Sequence, residues 1–203
     1  MKQIEAAVRQ HAGTFLCEEI HKERNTKTVE FRHVVTAPTG IVGVPDVGDL
    51  REFYSTFGSI LFYQDARSGD AGKYIAPTSA WPELREYFSD WLDDLDDDER
   101  EEILPEWLET ALVIGETPQS GNYILVATQG REAGYVFEFD HDGFEFVEEA
   151  HSISQYIERL LKPDGSKLTE IASHMRFIEG DPMVQWWIRE LKDNRGHVVR
   201  TDT

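Results

Sequence analysis

Apolar and polar residues alternate along Tyr135-Val-Phe-Glu-Phe139, the period of a half-buried strand, and alternate again in Phe144-Glu-Phe146. The turn formers Asp140-His141-Asp142-Gly143 separate them, so the pair reads as a β-hairpin. A two-residue loop at Asp142-Gly143 would set Phe139 against Phe146 and leave Phe137 facing Glu148. A four-residue loop, Asp140 to Gly143, sets Phe139 against Phe144 and Phe137 against Phe146. Each cross-strand ring pair adds about 0.2–1 kcal/mol. The four-residue loop is therefore the expected one, with all four rings on one face.

Ser152 and Gln155 have the spacing of a helix capping box. Ile153, Tyr156, Ile157, Leu160 and Leu161 then fall on one side of a helix, which Pro163 and Gly165 stop. Upstream, Ala111 to Ile114 and Tyr123 to Ala127 read as strands joined through Glu116 to Gly121. These segments are scaffold.

Earlier in the chain, Ile4, Ala7, Val8 and His11 predict a short helix that Gly13 would end. Phe15 to Ile20 is ambiguous between strand and helix, whereas Thr28 to Val35 is a strand with Val29, Phe31, His33 and Val35 on one face. A turn through Arg24-Asn25 would join the two as a hairpin. Asp46 is placed to cap a helix carrying Leu50, Phe53, Tyr54 and Phe57. Strands at Ile60 to Tyr63 and Tyr74 to Ala76 follow. With Ser79 as its cap, the next helix carries Trp81, Leu84, Phe88, Trp91, Leu92 and Leu95. Past Leu161, Leu168 to Phe177 predicts a helix. Asp181-Pro182 predicts another, with Val184, Trp187, Ile188 and Leu191 along one side and Gly196 as its C′ residue.

Composition narrows the class. The 203 residues are 40% hydrophobic and 11% aromatic, enough for a real core. A single cysteine, Cys17, allows no internal disulfide and fits a reducing compartment. No segment reads as a signal peptide or a membrane span, so the expected location is cytoplasmic. Charge changes the picture more: 39 acidic against 20 basic residues give a net charge of −19. That field repels nucleic acid and anionic lipid and attracts cationic partners. Eight of the ten residues from Asp93 to Glu102 are acidic, a block that like-charge repulsion keeps solvated.

Signatures of catalysis are missing. Asp94, Asp96 and Asp98 open like a calcium loop, but Glu99 stands where its glycine belongs and Pro105 where its last glutamate belongs. His11, Cys17, His21 and His33 match no zinc spacing. Asp140, His141 and Asp142 join carboxylates to an imidazole, yet a hairpin needs turn formers at that place. No nucleophile elbow, phosphate loop or metalloprotease helix occurs. The reading is accordingly no metal, no cofactor and no catalytic residue. Of the five tryptophans, Trp81 and Trp107 read as core. Trp186 and Trp187 are adjacent and cannot both face inward from one helix, so Trp186 is taken as an interface residue.

An ordered series of signals runs from Pro45-Asp46 through Leu50-Arg-Glu-Phe-Tyr54, Gly58 and Ile114-Gly115 to the strand from Asn122 to Thr128. Gly134-Tyr-Val-Phe-Glu-Phe-Asp140 and Ala150-His-Ser-Ile-Ser-Gln-Tyr-Ile157 complete it. This order resembles the SUKH superfamily, and the likeness covers about residues 40–161. The resemblance implies an α+β fold: a curved, mainly antiparallel sheet packed against helices, without catalytic residues. It divides the chain into a core at 41–162, an N-terminal extension at 1–40 (helix plus hairpin) and a helical C-terminal extension at 163–203.

Bacterial members of that family bind and block a cognate toxin. The expectation is thus a non-enzymatic immunity protein for a basic toxin, monomeric or weakly dimeric, touching neither nucleic acid nor membrane directly. The acidic residues Asp93, Asp94, Asp96, Asp97, Asp98, Glu99, Glu101 and Glu102, with Trp186, would meet the partner. Two rival readings stand beside it: a regulatory or scaffold module of the same fold, and a small metal-dependent hydrolase using Asp140, His141 and Asp142.

Overall fold

The structure, a computed structural model, describes residues 1–22, 25–93 and 95–202. The first half runs α1 (Lys2–Gln10), β1 (Ala12–Glu19), β2 (Thr26–Val35), α2 (Leu50–Thr56), β3 (Ile60–Gln64), β4 (Lys73–Ile75), α3 (Trp81–Asp93) and α4 (Asp97–Ile103). The second runs β5 (Leu112–Thr117), β6 (Asn122–Val126), β7 (Val136–Asp140), β8 (Glu145–Ala150), α5 (Ile153–Leu160), α6 (Gly165–Ala172), β9 (Trp186–Asp193) and β10 (Val198–Arg200). The described strands form one antiparallel sheet in the order β10-β9-β1-β2-β3-β4-β5-β6-β7-β8. This is the expected α+β architecture. From β1 to β8 each strand pairs with the next in sequence, and the β9–β10 hairpin returns to close on β1. No helix among the described residues is long and apolar enough to cross a membrane.

Helices pack on one face along most of the sheet and on the other only around β4 to β8, so outward residues of β1 and β2 such as Leu16 and Glu30 stay exposed. On one, α1, α2, α5 and α6 bury Val8, Phe53, Tyr156, Ile157, Leu168 and Ile171 against Phe15, Phe31, Ile114, Ile124 and Val136. On the other, Leu84, Phe88 and Leu92 of α3 cover Val113, Tyr123, Leu125 and Phe139. Neighbours such as Ile124 and Leu125 go to opposite layers, as a pleated strand requires. Tyr63 departs from this alternation. Its φ of 58° and the register shift between β2 and β3 send it to the same layer as Phe62.

Several expectations change. The segment after Asp181 is not a helix, because β9 and β10 occupy it and Gly196, at φ 85°, serves their turn. Helical spacing was satisfied there, but so was strand spacing. Trp186, Ile188 and Leu191 are buried on β9, and β1 gains a partner on its second side. The C-terminal extension thus holds one helix, α6, which ends at Ala172 rather than near Phe177.

The β7–β8 loop does have four residues, but they are His141 to Phe144, so Phe139 faces Phe146 and Phe137 faces Glu148. Sliding by two positions keeps every ring on the same face, because the side-chain period is two. Phe137 needs no cross-strand ring, since Trp107 stacks on it at 4.0 Å.

Asp46 caps nothing. Asp49 occupies the cap position of α2 but accepts instead from the amides of Ile153 and Ser154 (3.0 and 2.9 Å), pinning the start of α5. Ser79 lies in a 3-10 turn, and α3 starts two residues later. Gly13 falls inside β1, where a Cβ would sit 2.3 Å from the Lys192 carbonyl oxygen. Of the expected Arg24-Asn25 turn, Arg24 lies outside the described residues.

Candidate interaction surface

Helix α3 turns Leu84, Phe88 and Leu92 inward, at intervals of one helical turn, and so places Glu83, Glu86, Tyr87, Asp90 and Asp93 on its exposed side. Asp96 then starts α4 with a complete capping box: it accepts from Glu99 N at 2.9 Å while Glu99 accepts from Asp96 N at 3.0 Å. Asp97, Asp98 and Glu99 stand in the first turn, where the helix dipole favours carboxylates. Glu101 and Glu102 continue the exposed series. The structure therefore brings Asp93, Asp96, Asp97, Asp98, Glu99, Glu101 and Glu102 together in solvent; Asp94 lies outside the described residues.

No residue of α4 is buried, and Arg100 fastens the helix. Its guanidinium donates to the carbonyls of Leu92 (2.6 Å) and Leu95 (3.2 Å) at the end of α3, with Asp93 at 3.4 Å. The second arginine of the region, Arg85, is partly buried and lies 5.7 Å from the Phe88 ring centroid. Both cations thus turn toward protein and the outward potential stays negative. Partial burial, followed by the Glu83 carboxylate, pushes the Glu116 carboxyl above its ordinary range. Tyr87 (51% exposed) and Ile103 (42%) supply apolar surface within this acidic face.

Trp186 does not belong to it. In a strand, adjacent residues point to opposite faces, and Trp186 points inward at 9% exposure with the Lys27 ammonium 4.7 Å from its ring. The expectation that it meets a partner rested on a helix that does not form.

A second constellation lies on the opposite layer, under α6, and no sequence motif marked it. Lys73 of β4, 1% exposed, lies 2.5 Å from both Glu138 of β7 and Glu170 of α6 and donates to Thr117 Oγ1 at 2.9 Å. Lys167 meets Glu170 at 2.6 Å and Glu149 of β8 at 2.7 Å, and the Tyr156 hydroxyl donates to Glu138 at 2.5 Å. Burial pushes Glu138 up to about 7, the Lys73 ammonium opposing and Glu170 adding to the rise. Glu170 moves the other way: against the cost of burial, Lys73 and Lys167 hold it well below the usual carboxylate range. Three carboxylates share two ammonium groups, an arrangement that locks α6 onto the sheet. The signal for it was slight, because Glu138 alternates with Phe137 and Phe139 like a solvent-facing residue.

A third buried group contains two of the histidines considered for zinc. His11 Nδ1 lies 2.7 Å from His33 Nε2, and His11 Nε2 lies 3.2 Å from Asp193 Oδ2. Cys17 and His21 do not join it. Burial pushes the Cys17 thiol up to about 12, which leaves it inert as a thiolate ligand.

No protein-family model matches the chain, and comparison with curated proteins and with solved structures likewise finds no match.

Proposed function

We propose that this chain is a non-enzymatic protein-binding module whose α3–α4 face receives a basic partner. The observation that carries the reading is the exposed carboxylates of Asp93, Asp96, Asp97, Asp98, Glu99, Glu101 and Glu102, whose neighbouring arginines both turn toward protein. Complementary charge accelerates encounter above the roughly 10⁵–10⁶ per molar per second of neutral pairs. Tyr87 is the anchor, since tyrosine within a polar rim contributes strongly when desolvated. The resemblance to the SUKH superfamily supports a specific partner, a cognate basic bacterial toxin, which would make the chain its immunity protein.

The experiment is association kinetics, across a salt series, with any basic protein that the genes flanking this one encode. Replacing Asp97, Asp98, Glu101 and Glu102 with their amides keeps the Asp96–Glu99 cap. The expected result is an association rate at least about tenfold slower and a flattened salt dependence. An unchanged rate would remove the acidic face from the mechanism.

A further inference from the structure

Asp140 ends β7, and His141 and Asp142 begin the turn to β8, places that a hairpin alone would explain. Asn122, the first residue of β6, adds a constraint that turn formation does not need. Its Oδ1 lies 3.1 Å from the His141 backbone N–H and 2.6 Å from ring Nδ1. An atom that accepts a backbone N–H is the amide oxygen, so Nδ1 must carry hydrogen. In the neutral ring Nε2 is then an acceptor, and it faces Asp142 Oδ1 at 3.2 Å.

The spacing suits a metal. Two adjacent ligands at about 2.1 Å from one ion, at tetrahedral to right angles, stand about 3.0–3.4 Å apart. Asp140 supplies a third oxygen, and one ligand atom from each of the three residues lies within 4.8 Å of the others. The imidazole is held in place. Trp91 packs 4.9 Å from it, and Gly121 makes room, since a Cβ there would lie 2.9 Å from Trp91 and 3.6 Å from the ring. The Asp142 side chain is 81% exposed, which leaves solvent access for water ligands.

We propose that Asp140, His141 and Asp142 bind a divalent transition cation such as Zn²⁺, with Asn122 as a positioning residue that fixes the imidazole tautomer. The imidazole nitrogen selects a borderline metal over Mg²⁺ or Ca²⁺. Asn122 plays the part of the outer-shell acceptor that orients a metal-binding histidine. Glu83, Glu86 and Asp90, on the helix that carries Trp91, add a field that attracts cations.

The test is calorimetric titration of the full chain with Zn²⁺, followed in parallel by the His141 ring resonances. One equivalent should bind and shift those resonances. His141→Gln should weaken binding at least about tenfold, and Asn122→Ala about 10–100-fold, the range for outer-shell partners. His141→Gln changes a turn residue and leaves both cores intact, and unchanged near-ultraviolet dichroism would confirm that. The variant carrying amides at positions 97, 98, 101 and 102 should bind Zn²⁺ as the parent does. Three results would overturn the proposal: no binding at millimolar Zn²⁺, binding that survives His141→Gln, or binding lost only when the α4 carboxylates are neutralised.

Discussion

His33 hands one hydrogen to His11 across 2.7 Å, and the surrounding groups fix which atom carries it. The Tyr63 amide donates to His33 Nδ1 at 3.0 Å, so the hydrogen of that ring is on Nε2. It goes to His11 Nδ1, and His11 in turn donates from Nε2 to Asp193 at 3.2 Å. The line joins β3, β2, the end of α1 and β9, with both rings neutral. A further proton has no vacant lone pair to occupy without breaking a link.

Stability should therefore fall on acidification through these histidines. Burial, then the neighbouring His11 and Arg195, lowers His33 from 6.5 to about 3, and burial, then Arg195, lowers His11. A lowered folded-state value means the stabilisation is complete above about pH 6.5 and is lost as pH falls toward 3. At pH 5 the loss through His33 is about 2 kcal/mol, at about 1.4 kcal/mol per pH unit. Glu138 acts in the opposite sense: its raised value costs stability as pH climbs from 4.5 to about 7. Urea denaturation of the parent and of His33→Gln between pH 5 and 7 separates the two. The variant should show a markedly shallower loss on acidification, and equal slopes would refute the assignment.

How far the sequence led can be judged from particular residues. The capped helix α5 was legible because its signals are local: Ser152 does accept from Gln155 N at 3.1 Å, although the Gln155 side chain accepts from His151 N rather than closing the box on Ser152 N. The ring-bearing face of the β7–β8 hairpin was legible too, but its register was not. Trp107 lies thirty positions from the phenylalanine it covers, and Phe144 takes φ 50° to bring its ring back to that face. The C-terminal strands were misread because three successive apolar residues, Trp186 to Ile188, fit either period until β1 is known to lack a neighbour. The acidic face could be read directly from composition. The Lys73–Glu138–Glu170 cluster could not, since it is made by four strands and two helices that meet only in the fold.

That cluster yields a second prediction. Removing Lys73 leaves Glu138 and Glu170 buried with fewer cations, and breaking a buried pair from one side costs about 3–5 kcal/mol. Lys73→Met should lose about that much in chemical denaturation. Adding Glu138→Gln should recover part of the loss, because the group left without its partner is then uncharged. A double variant no more stable than the single one would show that the cost lies in packing rather than charge.

Gly13 tests the seam where the C-terminal hairpin joins the sheet. A methyl group there would meet the Lys192 carbonyl at 2.3 Å and the Asp193 Cα at 2.8 Å, both backbone atoms that cannot step aside alone. Gly13→Ala should push β9 from β1 and destabilise the protein by about 1–3 kcal/mol, the usual range for overpacking. Amide exchange locates the damage. Protection should drop first in β9 and β10, while β5 to β8 keep theirs; uniform loss across the sheet would contradict a local seam.

Arg100 offers the complementary case, a side chain that ties one exposed element to its neighbour. Among the described residues α4 buries none, and the guanidinium that reaches Leu92 O and Leu95 O ties it to the end of α3. Arg100→Ala frees those carbonyls to solvent and deletes the positive charge that Asp93 faces. Global stability should change by less than about 1 kcal/mol, as for an exposed charged contact, while α4 amides lose most of their exchange protection. Binding to a basic partner reads the same change differently. The variant is more acidic, so its association rate should hold or rise, yet dissociation should quicken because the carboxylates no longer sit in one geometry. A slower association with unchanged dissociation would mean that α4 acts through its position at encounter rather than through its charge.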